Sequence, residues 1–412
     1  MAQAGASGAL SHIRVLDLSR ILAGPWAAQM LGDLGAEIIK VERPVAGDDT
    51  RTWGPPYIKD AAGNDTSDST YYLCANRNKK SVTIDFTRQE GQQLVRELAA
   101  KSDVVIENFK LGGLKKYGLD YESLKPLNPG LIYCSITGFG QTGPYAPRAG
   151  YDFLIQGLGG LMSITGRPDD EPGGGPIKVG VALADIMTGM YSATAILAAI
   201  THRAQTGIGQ YIDMALLDVQ VGVLANQAMN YLHAGVLPKR MGNAHPNVVP
   251  YQDFQTKDGY VIIAIGNDGQ FARLAQVIGK PEWATDPRYS RNAQRVVNRV
   301  ELISMMNDMT RTRTTEEWVA LFEGVGVPCG PINDLEHVFS DPQVNARNMQ
   351  ISMQHPTLGE VPLLANPIRL SESPVQYRSA PPTLGEHTSE VLTELLGMDT
   401  QAIARLQHDN VI

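Results

Sequence analysis

Cysteine is scarce: Cys74, Cys134 and Cys329 are the whole supply in 412 residues. An odd, scattered trio without metal-ligand spacing supports neither a disulfide framework nor a zinc site, so the three read as reduced, mostly buried thiols. A surplus of positive charge is missing too. The net charge of −8 disfavours a general nucleic-acid binder, whose phosphate contacts need Lys and Arg gathered on one face. No stretch offers eighteen uninterrupted apolar residues, and the opening MAQAGASGALSHIR has neither an apolar h-region nor an Arg-rich amphipathic pattern. The expectation is a cytoplasmic protein with no membrane partner. Eight histidines show no HExxH or other ligand spacing, so no metal is expected. The segment RILAGPWAAQMLGDLGAEIIKVERP stands where a dinucleotide-binding turn would, yet lacks GxGxxG. Nicotinamide and flavin binding are disfavoured, and Gly24 reads as a turn residue.

What is present is ordinary globular composition, 43% hydrophobic and 19% charged, with no internal repeat. The length suits two or three domains. Ile13–Leu18 reads as a strand, Pro25–Leu34 as a helix opened by proline, and Glu37–Val41 as a second strand, together a βαβ unit. Strand patterns recur at Ser81–Phe86, Asp103–Glu107 and Leu131–Thr137, with an amphipathic helix at Arg88–Lys101. A parallel sheet covered by helices on both faces is the economical reading. Residues 138–150 and 166–180 are too rich in Gly and Pro for regular structure. Ala184–His202 is apolar at helical spacing with almost no charge, implying a helix buried on nearly all sides. One long helix is expected from Leu217 to His233. A hairpin over Tyr251–Thr256 and Tyr260–Ile265 turns at Asp258-Gly259, and helices follow at Gln270–Ile278, Val296–Thr310 and Thr315–Glu323. Beyond Pro331 short strands precede a final helix near His387. The expected division is 1–217, 218–330 (a linker helix and small domain) and 331–412.

Asp185, in VGVALADIMTGM, is the sharpest single feature. Between an apolar run and an apolar helix, an unpaired carboxylate would lose roughly several kcal/mol of hydration. It reads either as an N-cap accepting backbone N–H bonds or as a nucleophile steadied by the same N–H groups. Arg43, Arg51, Arg77, Lys79, Lys80, Lys110, Lys115 and Lys116 are either a polyanion site or a solvated face. His245, in a Gly/Asn/Pro loop, reads as close to a site or as plain surface.

Taken together, these segments resemble the class III CoA-transferases of the CaiB/BaiF superfamily. The resemblance rests on VLDLSRILAGPWAAQMLGDLGAEIIKVE, DDTR at Asp48–Arg51, NRNKKSVTIDF, DVVIENFKLGGLKKYGL, AGYD, GVALADIMTGMYSATAILAA and TGIGQYIDMALLD, in order from near residue 12 to about 218. It implies an α/β fold: a Rossmann-like large domain whose parallel sheet is built from both chain ends, a smaller α+β domain, and an interlocked homodimer. By position it makes Asp185 the nucleophile. It puts coenzyme A, a substrate rather than a tightly bound cofactor, against Leu22, Ala23, Arg43, Ile84, Asn108, Phe109, Lys110, Lys116, Ala149, Gly150, Tyr151 and Asp152.

Where formyl-CoA enzymes carry consecutive glycines this sequence reads MGNAHPNVVPY, which argues against oxalate chemistry. It looks closer to the branch that moves CoA from succinyl-CoA to glutarate. A dicarboxylate acceptor calls for a cation at its distal end, and Arg148, Arg240 and His245 are the candidates. The alternatives are an α-methylacyl-CoA racemase, whose GHD motif is replaced here by GYD at Tyr151, and a non-catalytic CoA-binding protein.

Overall fold

The structure, a computed structural model, describes residues 8–60, 62–355 and 357–412. The expectation drawn from residues 1–7 lies outside that range. Six strands pair in parallel throughout: β1 (Arg14–Asp17), β2 (Glu37–Glu42), β3 (Lys79–Thr83), β4 (Val104–Glu107), β5 (Ile132–Thr137) and β6 (Tyr211–Ala215). Their spatial order is β3-β2-β1-β4-β5-β6. This is the Rossmann order, with its reversal point between β1 and β4. The strands β1 to β5 are mostly buried because both faces of the sheet are covered, and they carry buried charges such as Asp17, Lys40, Glu42 and Lys79 among their apolar residues. One face carries α1 (Ala23–Asp33) and α4 (Leu183–Thr206), and the other carries α2 (Gln89–Ala100) and two C-terminal helices, α11 (Thr388–Leu396) and α12 (Thr400–His408).

The chain divides into two compact units. The larger holds the described residues up to Leu161, then Val179–Ala228 and Asn345–Ile412; the smaller holds Met162–Lys178 and Met229–Val344. Both ends of the chain therefore enter the larger unit. The sheet itself does not draw on both: its six strands all lie between Arg14 and Ala215, and the C-terminal part contributes helices and the hairpin Gln350–His355/Gly359–Leu364 instead.

In the smaller unit the hairpin forms as its turn dictates, β7 (Tyr251–Gln255) against β8 (Tyr260–Ala264), joined by β9 (Cys329–Pro331). Helices α7 (Asp268–Val277), α8 (Asn292–Val297), α9 (Arg299–Thr310) and α10 (Thr315–Glu323) pack on it around Phe254, Phe271, Trp283, Trp318 and Phe322. The first of these starts at an Asn267 cap, and the last at a Thr314/Glu317 capping box.

Two helical expectations are corrected. The segment expected as one helix is two, α5 (Leu216–Gly222) and α6 (Ala225–Ala234), broken where Ala225 takes φ 45°. Alanine favours a helix, so Ala225 itself announced nothing, and the local sign of the break is Gly222, on which α5 ends. Nor is α4 buried all round. Its inner stripe is Ala184, Thr188, Ser192, Ala193, Ile196 and Ala199, while Met190 and Tyr191 stand exposed. Its length and apolarity would suffice to cross a membrane, but that inner stripe packs into the larger unit's core.

Candidate active site

The resemblance-derived CoA positions collect at one edge of the larger unit. Leu22 and Ala23 follow β1, Arg43 follows β2, Ile84 follows β3, and Asn108, Phe109 and Lys110 follow β4. These four strands are neighbours, so the loops line the crevice outside their carboxyl ends at the reversal point. Arg43, Lys110 and Lys116 are solvent-exposed there, whereas Ile84 is fully buried in the core. Phe109 packs edge-on against Phe86, and the Arg20 guanidinium lies 5.1 Å from the Phe109 ring centre.

No side chain caps the first turn of α1. Gly24 sits inside that turn rather than in a loop before it. A Cβ there would lie 2.3 Å from the Ser19 side chain, so only glycine lets the strand-to-helix turn close this tightly. Gly189 does the same between helices, where a Cβ would meet the Ala23 carbonyl oxygen at 2.7 Å. Asp185 is one turn before Gly189 on the same face of α4, so the close approach of the two helices carries Asp185 toward the start of α1.

Asp185 is not the N-cap of α4. That position is Ala182, whose side chain makes no cap bond, and Asp185 is the third residue of the helix. Asp152 does the capping from α3 (Asp152–Leu158). Its Oδ1 accepts from the Ala184 amide at 2.8 Å and the Asp185 amide at 3.3 Å, and its Oδ2 accepts from Gln156 Nε2 at 2.7 Å. Gln156 in turn accepts from the Val179 amide at 2.9 Å. Asp152, expected among the CoA contacts, thus spends both oxygens within the chain. The Asp185 carboxyl is pushed up to about 7, first by burial and then by the negative charge of Asp152. Tyr71 shares this environment; burial, Cys74, Asp185 and Asp152 raise its hydroxyl to about 12. Sequence reading missed Tyr71, because STYYLCANRN carries no motif and the neighbourhood forms only in three dimensions.

The basic residues fit neither of the two expected readings as a group. Arg51 is buried against Glu42 and Tyr72, Arg77 against Asp33, and Lys79 against Asp17 at 3.0 Å. Burial lowers the Lys79 ammonium to about 8, with Asp17 opposing that shift. Lys80 bridges Glu37 and Glu390. Arg43, Lys110, Lys115 and Lys116 remain exposed.

Of the three candidate cations for an acceptor acid, Arg148 is exposed in the larger unit, its guanidinium 4.4 Å from the Tyr145 ring centre. Arg240 and His245 belong to the smaller unit. Arg240 is already paired with Asp169, and its Nε is buried without a partner. His245 accepts from the Asn247 amide through Nδ1 at 3.0 Å and packs on Tyr251; burial and Arg299 lower its pKa, so the ring is neutral near pH 7. A neutral imidazole is a poor anchor for a carboxylate. Ala149, Gly150 and Tyr151 lead into α3, with Gly150 in backbone contact with Gly138 and Tyr151 strongly exposed. Among the described residues, no group of three or more His, Cys, Asp or Glu side chains is arranged to hold a metal ion.

A family model described as CoA-transferase family III matches residues 10–388. A succinate–glutarate CoA-transferase of Agrobacterium fabrum is 53% identical, covering 94% of this chain and 95% of its own. The succinyl-CoA:glutarate CoA-transferase of Homo sapiens is 45% identical over 98% of this chain and 90% of its own. The crystal structure of a CaiB/BaiF family protein from Brucella suis superposes with a TM-score of 0.83 at 54% identity, covering 94% of this chain and all of that one.

Proposed function

Since the chain belongs to CoA-transferase family III and is a CoA-transferase, we propose that it moves CoA from succinyl-CoA to glutarate through a covalent intermediate on Asp185. The observation that carries the chemistry is the carboxyl of Asp185, held in the first turn of α4 beside the start of α1 and raised to about 7. Raising a carboxyl's pKa strengthens it as a nucleophile once ionised. The carboxylate attacks the succinyl thioester, giving a mixed anhydride and CoA thiolate. The thiolate then attacks the aspartyl carbonyl, leaving aspartyl-CoA and free succinate. Glutarate attacks that thioester, the anhydride forms with glutaryl in place of succinyl, and thiolate attack on the glutaryl carbonyl frees glutaryl-CoA and Asp185. The succinyl, aspartyl and glutaryl thioesters are of similar energy, the two anhydrides lie above them as transient intermediates, and exclusion of water protects all of these acyl groups.

CoA lies across the carboxyl ends of β1–β4, its phosphates near Arg43, Lys110 and Lys116. The exposed apolar side chains of α3 and α4, among them Phe153, Leu154 and Tyr191, suit the face of a homodimer. Sedimentation at micromolar concentration should give twice the chain mass. The mechanism is tested by trapping: incubation with succinyl-CoA alone, followed by hydroxylamine, should convert Asp185 to the hydroxamate, read by peptide mass. An unmodified Asp185 in an enzyme that turns over defeats the mechanism. A panel of acids scored for CoA uptake should rank glutarate first.

A further inference from the structure

Ile21 has φ 74°, a left-handed conformation in which a β-branched residue is a genuine outlier. Such a conformation persists only where the surroundings over-determine it. Here they do, one backbone group at a time. The Ser19 carbonyl accepts from Lys40 Nζ at 2.9 Å. Asn108 Oδ1 accepts from the Arg20 amide at 2.9 Å, and Asn108 Nδ2 donates to the Arg20 carbonyl at 2.6 Å. The Ile21 amide donates to both Asp48 oxygens, at 3.2 and 3.3 Å. Asp48 is itself fixed by Lys40 Nζ at 2.8 Å, the Thr50 amide at 2.9 Å and the Thr50 hydroxyl at 2.8 Å. The next residues are Leu22 and Ala23, where α1 begins without a side-chain cap.

We propose that Asp48 is a positioning residue for CoA binding: it holds Ile21 left-handed and so aims the Leu22–Ala23 backbone and the start of α1 at the coenzyme, without touching the coenzyme itself. The proposal rests on the reading that Leu22 and Ala23 face CoA. It explains why a fully buried carboxylate and ammonium are spent beside this crevice rather than replaced by apolar side chains. Asn108 secures the residue before the bend and Asp48 the bend itself, so the loops after β1, β2 and β4 are locked as one surface.

The experiment compares the full chain with Asp48→Asn, and with Asp48→Asn combined with Ile21→Gly. CoA and succinyl-CoA binding are measured by calorimetry, steady-state kinetics give the KM and kcat split, and thermal unfolding monitors the fold. Asp48→Asn should weaken CoA binding and raise the succinyl-CoA KM about tenfold, with kcat changed less than threefold because Asp185 sits on another element. The double variant should regain binding to within about threefold of wild type, since glycine adopts positive φ unaided. That rescue is what a merely structural role would not give. If Asp48→Asn alone fails to fold, a double variant that folds and binds CoA supports the proposal equally. Unchanged binding in folded Asp48→Asn, binding lost in both variants, or misfolding of both overturns it. Wild-type protein that binds no CoA would instead sink the underlying reading.

Discussion

Asp185 meets two demands that conflict, being buried enough to react and ionised enough to attack. Its pKa of about 7 against an ordinary 3.8 means that between about pH 4 and 7 the folded chain holds a proton the unfolded chain has released. Folding stability therefore falls as pH rises through that window, and the penalty is complete above about pH 7. Asp185→Asn should remove it, giving a thermal midpoint close to wild type at pH 4.5 and several degrees higher at pH 8. The same variant should lose turnover while still binding CoA. In the wild type, kcat/KM for the acyl-CoA should fall tenfold per unit below about pH 7 as the nucleophile protonates. Asp152→Asn removes the neighbouring charge but keeps an oxygen for the Ala184 amide, so the midpoint of that profile should move to lower pH. A midpoint that stays put would show that burial alone sets it.

Between elements, the packing of α4 on α1 is set by Gly189. Gly189→Val places new atoms against the Ala23 carbonyl and should destabilise the larger unit by about 1–3 kcal/mol, with weaker CoA binding, read by urea unfolding and calorimetry. Thr314→Ala, in the smaller unit, should cost about 1 kcal/mol by losing the capping box and leave CoA affinity unchanged. These elements differ in how openly the sequence declares them. The Asp258-Gly259 turn and the helix over Thr315–Glu323 are local chemistry, and β1, β2, β4 and β5 centre on apolar residues, so these were legible; β3 opens on two lysines and was expected two residues later. The Asp152–Ala184 contact joins residues 32 apart and no periodicity encodes it. Arg51, Arg77 and Lys79 read equally as an anion site or a solvated face because burial of a cation depends on partners, Glu42, Asp33 and Asp17, brought in by other elements. The break before Ala225 is marked by Gly222 alone, a weak signal inside an otherwise helical pattern.

Across the whole molecule, the two ends of the chain meet. Arg378 donates to the carbonyls of Gly32, Gly35 and Ala36 at 3.0, 2.7 and 2.6 Å, closing the C-terminal end of α1. Arg378→Ala should cost on the order of 3 kcal/mol, checked by urea unfolding, because it strips charged donors from three buried carbonyls at once. Nearby, the His387 amide bonds the Ser81 carbonyl, the Thr388 hydroxyl accepts from the Thr83 amide, and Asn78 donates to Gln376. Strand β3, an edge of the sheet, is thereby covered by the tail.

That covering has a temporal meaning. During translation β3 is made some three hundred residues before the segment that shields it, and the whole smaller unit is threaded out in between. Until Arg378 and Thr388 leave the ribosome the nascent sheet has a raw flank, which gives a chaperone its longest opportunity to act.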